Sequence, residues 1–203
     1  MDTYDLDQDP PGDDAEPSGP SGGRLGTTRQ RWWAGLLVAL LVVTVAGATE
    51  LDQRDRNREF AALLGQVSRA QSAVRYSDAR IQSMVQYTSP QLTSARAPDR
   101  VRASLRQLVQ QTAADRVAPL RIRRDAVARL SVRRWHGEQR RARDTYLAYL
   151  DGRIAFLQAV AADLRTLYRP HWELSWQQTA ARTALLKVSP AGPSSNRIRE
   201  LLP

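Results

Sequence analysis

Residues 32–49, WWAGLLVALLVVTVAGAT, form an apolar run of 18 residues without a charged side chain, closed by Glu50. At 1.5 Å rise per residue a helix over this run is roughly 27 Å long, close to the ~30 Å hydrocarbon thickness of a bilayer. Its backbone satisfies its own hydrogen bonds, so lipid can surround it. The pattern predicts one transmembrane helix, anchored through Trp32, Trp33, Leu36, Leu37, Leu40, Leu41, Val42 and Val43. Trp32 and Trp33 stand where an interfacial aromatic belt belongs, with Arg29 and Arg31 just outside them. With its flanks the anchor covers 29–50.

Ala46-Gly47-Ala48 also matches a signal peptidase site, and cleavage after Ala48 would release a secreted helical protein. A long acidic leader and a helical pattern that continues past Thr49 favour an uncleaved signal-anchor. Arg24, Arg29 and Arg31 before the run balance Arg54, Arg56 and Arg58 after it, but residues 50–53 carry no positive charge. The positive-inside rule then places the N-terminus in the cytoplasm and the C-terminal domain outside, as a single-pass cell-membrane protein.

From Leu51 to Tyr87 the pattern changes to heptads. Phe60, Val67, Val74 and Ile81 recur every seven residues, and Leu63, Ala70, Ser77 and Met84 follow each by three. Residues 52–59 are charged all round, as in a stalk, and Ser89-Pro90 predicts the helix end. A second helix is expected from Pro98-Asp99, with Val101, Leu105, Leu108 and Thr112 on one face. Pro119 leaves two readings: a kinked helix to about Arg134, or two helices meeting near 118. After a turn at Trp135-His136-Gly137, a third helix carries Leu147, Leu150, Ile154, Leu157, Ala161, Leu164 and Tyr168. A fourth follows Arg169-Pro170, with Trp172, Trp176, Thr183 and Leu186 on one side. The fold class is all-α: a transmembrane helix, then an antiparallel bundle of about four helices over 51–188 with coiled-coil-like packing. Ser189 to Pro193 breaks the pattern and predicts a flexible tail over 189–203.

Composition adds two features. Residues 1–28 are acidic and rich in Pro and Gly, which predicts a disordered tail. Asp5, Asp7, Asp9, Asp13 and Glu16 mimic calcium-loop spacing, but Pro10 stands where that loop needs Gly. Residues 1–49 hold 3 basic against 7 acidic side chains, and residues 50–203 hold 27 against 14. Lys187 is the single lysine, a bias that fits codon usage better than selection for phosphate binding. Ten of the 28 residues from Arg116 to Arg143 are Arg. Arg121, Arg123, Arg124, Arg133, Arg134, Arg140 and Arg141 are candidate contacts for an anionic polymer or ligand. The competing reading is a solvated face paired with Asp115, Asp125, Glu138 and Asp144.

Candidate chemistry is sparse. No Cys is present, so thiolate and disulfide chemistry is excluded. His136 and His171 lack a second ligand at i+3 or i+4, and no phosphate loop or nucleophile elbow occurs; no metal, cofactor or catalytic residue is expected. Trp135, Trp172 and Trp176 fit packing at a bundle end better than a pocket lining. Tyr76-Ser77-Asp78-Ala79-Arg80-Ile81 echoes Tyr149-Leu150-Asp151-Gly152-Arg153-Ile154. Asp and Arg two apart do not face each other on one helix, so these residues would pair between helices. The expected function is an envelope interaction or scaffold module without catalysis, its partners the lipid bilayer and a protein or second copy bound through the helical domain. The alternative is a basic, sensor-like module that binds an anionic envelope polymer or ligand. Nucleic acid is disfavoured by the topology and by the lack of interleaved aromatics.

Overall fold

The computed structural model describes residues 27–94 and 97–203. Of the tail expected over 1–28 it describes only Thr27 and Thr28, so the calcium-like spacing lies outside the described residues. Helix covers α1 (Thr27–Thr93), α2 (Asp99–Ala128), α3 (Gly137–Ala162), α4 (Trp172–Val188) and α5 (Pro193–Leu201), with a 3-10 turn at Leu164–Tyr168. Among the described residues there is no strand. The chain divides into two units, residues 1–48 and 49–203.

In the first unit α1 carries the apolar run. Trp33, Leu36, Leu37, Leu40, Leu41, Val42 and Val43 are all exposed, between 55% and 69%; the side chain of Trp32 lies outside the described set. Among the described residues α1 is the one helix long and apolar enough to cross a membrane. Its most apolar 18-residue window has a mean hydropathy of 1.8, and none of that window is buried by protein.

The second unit is built on the heptad stripe of α1. Phe60, Leu63, Val67, Ala70, Val74, Ser77 and Ile81 are buried, and Met84 is half-buried. The hydroxyl groups of the core are satisfied locally: Ser77, Thr88 and Thr112 each donate to the carbonyl four residues back, at 2.8–2.9 Å. Tyr146, fully buried, donates to the Val67 carbonyl at 3.3 Å and joins α3 to α1. Burial pushes its phenol far above the ordinary tyrosine range.

Prolines break less than the pattern implied. Pro90 lies inside α1, three residues before its end, where a missing donor disturbs only the last turn. Pro119 lies inside α2 without ending it, so the segment is one helix, and it closes at Ala128 rather than near Arg134.

Three registers differ from expectation. On α2 the inner face is Val109, Thr112, Ala113, Leu120 and Val127, while Val101 and Leu108 are exposed. Small Ala113 within this face suits close helix approach. On α3 the inner face adds Ala142, Tyr146, Tyr149 and Val160 to Leu150, Ile154 and Leu157, while Leu147 is half-buried at its edge. The expected continuation to Tyr168 fails because Asp163 turns extended and its carboxylate accepts from the Arg165 amide at 2.9 Å, capping the 3-10 turn instead. Leu164 is left half-buried and Tyr168 exposed at 69%. On α4 the inner residues are Ala181 and Leu185, and the Trp face points outward.

Residues 189–203 are not a flexible tail. Gly192 adopts φ +104°, a left-handed turn that suits glycine, and Pro193 starts α5 at the first helical position. Ile198, Leu201 and Leu202 enter the core. Arg75 of α1 donates to the carbonyls of Glu200 and Leu201 and holds α5 in place.

Candidate functional site

A polar cluster joins the turn between α2 and α3 to the stretch of α1 that begins unit two. His136 ends that turn with its side chain fully buried. Its Nδ1 lies 2.6 Å from Glu59 Oε2 and its Nε2 lies 2.9 Å from Asp52 Oδ1. Trp135 donates its indole N–H to the same Asp52 oxygen at 3.2 Å. The Arg133 amide donates to Glu59 at 3.3 Å, and its guanidinium meets Asp55 at 2.8 Å. Gln139 donates to the Arg56 carbonyl at 2.9 Å.

Both ring nitrogens of His136 face carboxylate oxygens, the arrangement of an imidazolium that donates twice. Burial works against its charge, but the hydrogen bonds to Glu59 and Asp52 outweigh it and raise the ring above its ordinary range. The His136 hydrogen bond holds Asp52 below the ordinary carboxylate range. His136, Arg133 and Arg56 then stand against Asp52, Asp55 and Glu59, with Arg58 a further 3.9 Å from Asp55. A cleft of about 350 Å³ opens beside the cluster. Lys187 and Glu138 at its edge pair at 3.0 Å, which lowers Glu138.

This cluster was not read from the sequence. Residues 52–59 looked charged all round, yet Asp52, Asp55 and Glu59 follow a 3-then-4 spacing that puts them on one helix face. That spacing was the available signal.

The seven candidate arginines divide. Arg124 grips Asp151 through two nitrogens, at 2.9 and 3.3 Å, and is raised by that contact. Arg133 belongs to the cluster above, and Arg140 donates to the Arg134 carbonyl at 2.6 Å. Arg121, Arg123, Arg134 and Arg141 are exposed and make no ion pair among the described residues, and the same holds for Arg129, which the sequence does not single out. Of the expected acidic partners, Asp125 meets Arg124 and Asp144 meets Arg143.

Asp78 pairs with Arg153 across α1 and α3, and Asp151 with Arg124 across α3 and α2. The echoed strings nevertheless occupy unlike surroundings: Tyr149 is buried, whereas Tyr76 is exposed beneath the Arg116 guanidinium.

The three Trp residues expected to pack at a bundle end are exposed instead, Trp135 at 66% and Trp172 and Trp176 at 69%. Each lies outside the inner face of its element, so the core takes Tyr146 and Tyr149 as its large aromatics. Trp172 and Trp176, four residues apart, share the outer face of α4, and Tyr168 is exposed on the 3-10 turn before it. A cleft of about 600 Å³ is lined by Phe156, Trp172 and Gln177, and His171 packs edge-on against Phe156.

Among the described residues no group of three or more His, Asp or Glu side chains is arranged to hold a metal ion. No protein-family model, curated protein or solved structure matches the chain.

Proposed function

We propose that the protein is a single-pass membrane-anchored helical module of the cell envelope that works by holding partners rather than by catalysis. The supporting observation is the uncovered apolar run: Trp33 and Leu36 to Val43 lie on a helix whose large side chains are 55–69% exposed, a surface that water would not tolerate alone. The positive-inside argument puts residues 51–203 on the outer face. The exposed aromatic face of α4, Trp172 and Trp176, supports a protein partner or a second copy, since aromatics enrich interface cores. Alkaline carbonate washing of membranes, combined with reporter fusions at both termini, tests this. The intact chain stays in the pellet with its C-terminal reporter outside; release into the supernatant overturns the reading.

A second reading is a basic module for an anionic envelope polymer. Arg121, Arg123, Arg134 and Arg141, exposed and without an ion pair among the described residues, favour it. Binding through these arginines weakens steeply between low and moderate salt, whereas binding through the aromatic side does not.

A further inference from the structure

The turn between α2 and α3, together with the start of α3 that carries Arg141, combines three properties. Arg129, Arg134 and Arg141 are exposed, and among the described residues none of the three makes an ion pair; the charge of Arg141 does reach Glu138, which Lys187 holds. Trp135 shows 66% of its surface, with its N–H tied back to Asp52 and the Arg133 guanidinium 5.4 Å from its ring centre. The His136 cluster fixes the turn to Asp52, Asp55 and Glu59. Asp52 follows Thr49, the last residue of the apolar run, by three residues. Even fully extended, that link reaches only ~10 Å, about a Debye length at physiological salt.

We propose that this turn is a second membrane contact, in which Arg129, Arg134 and Arg141 meet anionic phospholipid headgroups and Trp135 enters the interface beside them. The inference rests on the anchored reading above. Charge complementarity and chain connectivity select the lipid as occupant. A tryptophan flanked by arginines is the side-chain pair that membrane interfaces favour. Each arginine held at an anionic surface shifts the contact equilibrium by roughly fivefold. Arginine stays charged at all physiological pH values, so the attraction does not depend on a titrating group.

The test uses the full chain in nanodiscs of phosphatidylcholine, with or without about a third phosphatidylglycerol, both carrying acyl chains brominated near the headgroup. Emission from Trp135 is read as the difference between the wild-type chain and Trp135→Phe. In anionic discs this emission shifts to the blue and falls about twofold by bromine quenching. In neutral discs it does not, and about 0.5 M salt abolishes the difference. The triple variant Arg129→Gln, Arg134→Gln, Arg141→Gln, confined to exposed side chains, loses the effect while its helicity is unchanged. Equal emission in the two lipids overturns the proposal, as does an undiminished effect in the triple variant. So does a response to soluble polyphosphate in neutral discs without a response to anionic lipid. A chain that fails to enter the discs overturns the anchored reading along with this one; a chain that enters with Trp135 unquenched overturns this one alone.

Discussion

His136 is a histidine whose two nitrogens are both already engaged, and that determines how it responds to acid and base. A ring raised above its ordinary value of about 6.5 stabilises the fold fully below that value and loses the contribution as pH rises through its folded value. Asp52, lowered below about 3.9, contributes above that value and loses it as pH falls through its folded value. The cluster is therefore strongest between about pH 4 and 6.5. Thermal melts of the reconstituted chain across pH 4–9 check this: His136→Gln should flatten the decline on the alkaline side and lower stability at pH 5.5 by on the order of 2 kcal/mol, from lost charge-assisted hydrogen bonds. A variant melting with the wild-type slope would refute the assignment. By contrast, Trp172→Ala and Trp176→Ala change solvent-exposed positions and should move stability by no more than about 0.5 kcal/mol. The sequence displayed each of these residues but not their partners, because Glu59 and His136 lie far apart in the chain. Only the one-sided acids Asp52, Asp55 and Glu59 were readable.

At the scale of the helices, periodicity located α1 best. Its stripe repeats over four heptads, and a wrong register would expose several large side chains at once. On α2 and α3 two neighbouring faces were similarly apolar, Leu108 beside Val109 and Leu147 beside Tyr146, so pattern could not choose between them. The choice came from close packing and from the Tyr146 hydroxyl finding the Val67 carbonyl. Gly152 shows how tightly α3 and α4 approach: a Cβ there would collide with the Gln177 amide and meet Leu174 at 3.2 Å. Gly152→Ala should be near neutral, since the Gln177 terminus can move and alanine favours helix. Gly152→Leu should cost about 1–3 kcal/mol by overpacking, measured by chemical denaturation. Removing residues 193–203 should cost several kcal/mol, since three buried side chains at ~1.5–3 kcal/mol each leave the core. A truncated chain melting like the intact one would show that α5 is an ornament. Its helix was masked in the sequence by Pro190, Gly192 and Pro193, which read as disorder and instead form the turn that starts it.

For the whole molecule, apolar length and charge distribution carried the reading, and both are properties a sequence displays directly. Leu40→Arg together with Leu41→Arg should raise the insertion free energy by about 3 kcal/mol per arginine at the centre of the run. The carbonate-resistant fraction should fall accordingly, and an unchanged fraction would argue that lipid is not the solvent of this helix. Pairing of the arginines was not legible, because it depends on which face of each helix turns inward. Lys187 gives this molecule an unusual handle. As the only lysine, paired with Glu138 beside the His136 cleft, it is the one side chain an amine-reactive dye can label. A fluorophore placed there would report loosening of the adjoining turn without any engineered cysteine.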